Sequence, residues 1–212
     1  MAETQKSQVI DGRTLRAKAR REATKEVILS AGERIFSSQG YLSSSVADVI
    51  ATADVARGTF YLHFESKEAL FQELVDRFID RVRSVVRVVE PGPGPRPLLQ
   101  IKENIERVVH LLFDQRDLAI LVLREATGLD ARVDEKLRAL DSFLHEMVVG
   151  ALKNGSDMGL IRKVNEGVVA LALIGAIKEV LFHMVIREDA THVDREEVSE
   201  TLFQFGLRGL LQ

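Results

Sequence analysis

The stretch "ADVARGTFYLHFESKEALF", Ala53 to Phe71, decides how this chain is read. Small residues run into Phe60, Tyr61 and Phe64, with His63 among them. The chain of 212 residues holds 10 Phe, 2 Tyr and no Trp, so this is a local concentration. A core helix does not mix Arg57, Thr59, Tyr61 and His63 so densely with apolar residues. Phe60 and Phe64 stand at i and i+4 and would bury one side of a short helix. Arg57, Thr59, Tyr61 and His63 are then left on or beside its exposed side.

Upstream, "SSSVADVIATAD" reads as a helix of about eight residues, with Ser45 and Asp48 spaced as a capping box. A few residues around Asp54 separate it from the next short helix, about Ala56 to His63. Two short helices at that spacing are what a helix-turn-helix needs: one braces, the next enters the DNA major groove. Arg suits guanine edges or phosphates, the Thr methyl suits the thymine methyl, and Tyr and His suit phosphate oxygens. Gly58 lets a backbone approach closely. Lys67 opens the following helix, where the helix N-terminus already favours an anion.

Composition bounds the rest. Hydrophobic content of 46% and charged content of 29% are those of a globular protein with a real core. No cysteine is present, which excludes disulfides and thiolate metal sites and agrees with a cytoplasmic protein. The start, "MAETQKSQVIDGR", lacks the apolar stretch of a signal peptide. No apolar run approaches the ~18 residues of a membrane span, so no membrane partner is expected. Net charge is −3, but Arg13 to Lys67 carries nine Lys/Arg against six Asp/Glu, and Glu68 onward 19 against 24. The excess is steepest in "RTLRAKARREATK", Arg13 to Lys25, six cations against Glu22. Charge alone leaves open whether this segment meets a polyanion or only solvent.

Periodicity is helical nearly throughout, and the expected class is all-α with about nine helices. Val27, Ile28, Ala31, Ile35 and Phe36 stripe a first helix of about Thr14 to Ser38, ended by Gly40. Ser66 N-caps a long fourth helix whose stripe, Leu70 to Val89, carries it to about residue 89. "EPGPGPRP", Glu90 to Pro97, holds all four prolines and forms a stiff connector. Five helical segments follow. The last two, about 165–188 and 194–211, are apolar on more than one side and need a second surface, which points to a homodimer; a large single-chain bundle with both at its centre is the alternative. The domains expected are a flexible tail at 1–12, a helix-turn-helix domain at 13–66 and a helical ligand-binding and dimerisation domain at 67–212.

"VADVIATADVARGTFYLHFESKEALF" resembles the DNA-binding signature of the tetracycline-repressor (TetR) family of bacterial transcription regulators. Gly58-Thr59-Phe60-Tyr61, His63-Phe64 and Lys67-Glu68 stand where the family pattern wants them, and "AGERIFSSQGY" is similar to the end of the family's first helix. Three positions depart: Ile50 replaces a small Ala, Asp54 a turn Gly, and Ala56 a capping Ser. Asp tolerates the left-handed turn; the missing cap weakens the helix start by about 1 kcal/mol. The resemblance implies a homodimeric regulator, in the usual case a repressor, on a palindromic double-stranded DNA operator. A small effector in the C-terminal helices would move helix four and shift the two reading heads. Its expected DNA contacts are Ser44, Ser45, Arg57, Gly58, Thr59, Tyr61, His63 and Lys67.

Candidates for the effector site are polar residues embedded in apolar runs, Arg124, His145, Lys178 and His183, with the apolar Phe113, Phe143, Met147 and Phe182. The pool of large apolar side chains suggests a hydrophobic or amphipathic ligand; plain core is the competing explanation for each aromatic and for Met147. Asp141–His145 and Glu179–His183 would hold a metal only if the two pairs met; surface ion pairs explain them as well. No cofactor is expected. No metal-ligand motif, phosphate loop or nucleophile elbow points to an enzyme. The remaining rival is a helical interaction module with lost or weak DNA binding, for which Asp54 and Ala56 speak.

Overall fold

The computed structural model describes residues 12–91, 97–186 and 193–210. The expected tail, save Gly12, and most of the proline connector lie outside these. Nine α-helices and one π-helical turn are present among the described residues, and no strand, as the all-α reading requires. The chain divides into two units between Phe71 and Gln72.

In the first unit, α1 (Gly12–Gln39) packs Ile28, Leu29, Ala31, Ile35 and Phe36 inward. Val27, expected in that stripe, is exposed; Leu29 takes its place. Gly40 ends the helix at φ 85°. α2 (Val46–Ala53) starts on the expected reciprocal capping box of Ser45 and Asp48. It ends at Asp54, whose φ of 51° and ψ of 48° are left-handed. Asp54 thus occupies the backbone conformation a glycine would supply. α3 (Arg57–Tyr61) follows at once, its N-cap Ala56 making no side-chain cap. α4 (Lys67–Val85) begins behind Ser66, whose hydroxyl oxygen accepts from the Ala69 N–H at 3.1 Å. Its first turn buries Leu70 and Phe71, and Phe71 packs on Tyr41 with ring centroids 4.4 Å apart. That packing ties the start of α4 to the first unit, which runs to Phe71.

In the second unit, α4 stops at Val85, four residues before its apolar stripe does. Side chains of α5 (Pro97–Asp114) supply what the missing helical turn would have. Asn104 accepts from the Arg87 N–H at 2.9 Å and donates to the Arg87 carbonyl at 2.8 Å. Gln100 does the same for Glu90, at 2.9 and 3.1 Å. Arg107 Nε donates to the Val85 carbonyl at 2.8 Å. An irregular segment thereby has its backbone groups paired without secondary structure.

Beyond α5 come α6 (Arg116–Ile120), the π-helical turn Leu121–Glu125, α7 (Ala131–Asp157), α8 (Glu166–Ile186) and α9 (Arg195–Arg208). α5 packs chiefly on α9, and α7 on α8. α7 runs through Asn154-Gly155 to Asp157, with Gly159 at φ 68° just beyond its C-cap Met158. Gly155 is buried beside Ile161, whose side chain would lie 3.4 Å from an added Cβ, in van der Waals contact. α8 also corrects the expectation about apolar runs. Glu166–Val185 has the length and hydropathy of a membrane span, 20 residues at mean hydropathy 2.0, once its few charges are averaged in. Ala170, Leu181 and Val185 of this helix are buried, whereas Val168, Leu171 and Val180 are exposed, as is Phe205 on α9.

Candidate functional site

α3 is one and a half turns long, and its two sides have separate jobs. Phe60 is fully buried and Phe64 nearly so, their ring centroids 6.0 Å apart. Arg57, Gly58 and Tyr61 are exposed, and Thr59 and His63 are half-buried beside them. The Arg57 guanidinium lies 5.9 Å from the Tyr61 ring centroid, so the cation is stacked along the outer face.

Gly58 is the most informative residue of this face. Its φ is not positive, and an added Cβ would meet no atom within 4 Å. Nothing inside the fold requires glycine, and in a helix Gly costs about 1 kcal/mol relative to Ala. A bare backbone on an exposed helix face is what a closely approaching partner requires.

Other expected contacts turn out to be engaged internally. Ser44 is buried, and its hydroxyl donates to the Tyr41 carbonyl at 2.8 Å. The Ser45 hydroxyl donates to Asp48 at 2.6 Å while accepting from the Asp48 N–H at 3.3 Å. The Ser45 hydroxyl and backbone N–H, in that order, hold the Asp48 carboxyl below its ordinary range. Both serines thus shape the start of α2. Lys67 donates to the Tyr41 and Ser44 carbonyls at 2.8 and 2.9 Å and lies 4.3 Å over the Tyr41 ring. One of its three N–H groups remains for an outside acceptor. Two residues near this surface were not singled out from the sequence. Arg21 donates to the Leu62 carbonyl at 3.3 Å, and the Lys25 ammonium sits 5.8 Å from the Phe64 ring centroid. The basic run in α1 was their only signal.

The second unit holds an apolar cavity of about 360 Å³. Residues of the α4 end, α5, the π-helical turn and α7–α9 line it, among them Val86, Ile101, Val122, Leu144, Ile177 and Phe203. Arg87, Asn104, Thr127, Asp141 and Lys178 are its polar members. Met147 and Lys178 are the two expected ligand residues on this wall. The other six lie elsewhere. Phe113 is buried under Arg195, and Phe143 lies beneath Arg83. Arg124 is exposed on the π-helical turn, and Phe182 stands edge-on to His183. His145 contacts the Gly167 carbonyl at 3.3 Å, and His183 pairs with Glu179 at 3.0 Å on the surface. Asp141 turns to Lys178 at 3.1 Å, so the two carboxylate–imidazole pairs do not converge.

An all-helical chain whose N-terminal unit presents a short helix, aromatic side in and Arg-Gly-Thr side out, is a helix-turn-helix DNA-binding transcriptional regulator. Residues 28–74 match the bacterial regulatory proteins of the tetR family. Over those residues the chain carries the DNA-binding domain of that family. It is 27% identical over 192 residues to the HTH-type transcriptional regulator UidR of Escherichia coli K12, covering 90% of this chain and 92% of that one. It is 28% identical to the HTH-type transcriptional repressor BepR of Brucella suis, over 65% of this chain and 68% of that one. Among solved structures it shares its fold with NalD, the secondary repressor of the MexAB-OprM multidrug efflux pump of Pseudomonas aeruginosa, at TM-score 0.74 and 20% identity. That match covers 90% of this chain and 98% of NalD. The regulator FadR of Bacillus subtilis, solved with stearoyl-CoA, matches at TM-score 0.67 and 22% identity over 87% and 98% of the two chains.

Proposed function

We propose that this regulator is a repressor that binds a palindromic operator as a homodimer and is released by a hydrophobic or amphipathic effector. The observation that carries the DNA half is Gly58, an exposed helical glycine that no neighbour inside the fold explains. α3 would enter the major groove, with Arg57, Thr59 and Tyr61 toward bases and phosphates and the remaining Lys67 N–H toward a phosphate. The exposed apolar residues of α8 and α9 supply the dimer face, so that two copies of α3 read half-sites about one helical turn apart. The effector occupies the apolar cavity of the second unit, with Arg87 and the Asp141–Lys178 pair meeting its polar end. BepR and NalD are repressors by name, and FadR of B. subtilis was solved with an amphipathic acyl-CoA; both facts support this reading. Action on a chromosomal operator places the protein in the cytoplasm.

Fluorescence anisotropy on a labelled duplex spanning the promoter beside its own gene tests the proposal. Binding is expected to fall steeply with salt, as neutralised phosphates release counterions. Stearoyl-CoA and decanoate, added separately, probe release. Absence of salt-sensitive binding to that promoter overturns the DNA reading and favours an interaction module. Salt-sensitive binding that neither amphiphile relieves overturns the effector class.

A further inference from the structure

The basic half of α1 buries none of its side chains. Every side chain from Arg13 to Ala23 is exposed. About three turns of helix, roughly 16 Å at 1.5 Å per residue, therefore project without packing. So short a helix is marginal in water when nothing packs on it. Its charge makes matters worse. Arg13, Arg16, Lys18, Arg20 and Arg21 stand against Glu22 alone, and the first turn holds no acid. Cations at a helix N-terminus oppose the helix dipole.

Three cations of α1 share one face: Lys18, Arg21 and Lys25, spaced by three and four residues. Contacts fix where that face looks. Arg21 Nη2 donates to the carbonyl of Leu62, which caps α3, and Lys25 lies against the ring of Phe64 just beyond it. Lys18, exposed, lies one turn earlier on the same face. A duplex that admits α3 to a major groove ~12 Å wide presents a phosphate strand on each side of it. Side chains beside the end of α3 meet one of those strands.

We propose that Lys18 and Arg21 contact backbone phosphates flanking the groove that α3 enters, making α1 a second, sequence-independent grip on duplex DNA. This rests on α3 being the reading helix. The Arg21–Leu62 bond gives the guanidinium a fixed starting position, and its other N–H groups remain available to a phosphate. Unfavourable charge and missing packing in the free protein are both relieved when the strip lies on a polyanion.

The test is the salt dependence of binding to the promoter duplex and to poly(dI-dC), for wild type, K18Q/R21Q and K18R/R21K. Loss of two contacts is expected to reduce the slope of log K against log salt by roughly 0.9 per contact per protomer, on both DNAs alike. The charge-conserving K18R/R21K variant is expected to keep the wild-type slope. A wild type without salt-sensitive binding would sink the DNA reading itself. A steep wild-type slope that K18Q/R21Q leaves unchanged overturns the α1 grip alone. So does a variant that melts earlier with its slope intact, because Arg21 would then serve only to cap α3.

Discussion

Lys67 Nζ donates to the carbonyl of Tyr41 at 2.8 Å while lying 4.3 Å above the ring of the same residue. With the bond to Ser44, this one ammonium closes the turn between α1 and α2 from the first residue of α4. Cations at a helix N-terminus are electrostatically misplaced. Here two carbonyls and an aromatic face outweigh the dipole. The same charge sits where a phosphate approaching α2 and α3 would feel it.

Lys67→Met therefore has two expected effects. It removes two charge-assisted hydrogen bonds from a half-buried site, which costs about 1–2 kcal/mol after allowing for rehydration of the carbonyls. It also weakens promoter binding. Urea unfolding of the variant measures the first effect and anisotropy the second. An unchanged urea midpoint would assign Lys67 to the outside contact alone.

Gly58→Ala separates fold from function in the opposite way. With open space around the new Cβ, helix propensity alone decides, and the variant is expected to gain up to about 1 kcal/mol. The new methyl would stand between α3 and the groove, so promoter affinity falls. A variant that melts higher and binds as tightly as wild type would show that nothing approaches this backbone.

The capping box of α2 predicts a pH signature. Folded Asp48 is held below its ordinary range by Ser45, so it titrates lower than in the unfolded chain. Its contribution is complete above the unfolded value of about 3.9 and is lost as pH falls from there through the folded pKa. Asp48→Asn should therefore melt below wild type at pH 6, and the gap should shrink as pH falls toward 3. A gap that is constant with pH would mean that the charge of Asp48 does not contribute.

Residues that act on their own neighbourhood were legible in the sequence. Ser45 and Asp48 announce the start of α2, Gly40 ends α1, and Phe60 with Phe64 marks the inner side of α3. What stayed hidden depends on distant partners. The apolar stripe of α4 runs on to Val89, but Asn104 and Gln100, 17 and 10 residues further on, hold Arg87 and Glu90 out of a helix. The cavity was hidden for a related reason. A side chain lining a void and one filling a core have the same composition, and α8 is apolar on most sides. Met147 and Lys178 reach the wall, while Phe113 and Phe143 are covered by arginines instead.

Asn104 offers a direct test of that hidden link. Asn104→Leu keeps the size but leaves the Arg87 N–H and carbonyl without their partners. Helical continuation past Val85 then becomes the available way to pair them. Helicity by circular dichroism is expected to rise by the equivalent of about one turn, some four residues. Unchanged helicity would mean that the segment 86–90 is irregular for a reason other than the amide pairs.

The dimer face can be tested at Gly175. This residue is exposed in the middle of α8, with nothing within 4 Å of an added Cβ, and Leu171 beside it is 64% exposed. Mid-helix glycine costs about 1 kcal/mol in the isolated chain, and it lets another helix approach closely. Gly175→Leu is expected to keep the fold and weaken self-association, and Leu171→Glu to abolish it by burying an unpaired charge. Sedimentation should show a dimer for wild type and a monomer for Leu171→Glu. The monomer should also bind the promoter far more weakly, because a single α3 forfeits the second half-site. If Leu171→Glu still sediments as a dimer, the copies meet on another surface, and the exposed apolar residues of α8 need a different occupant.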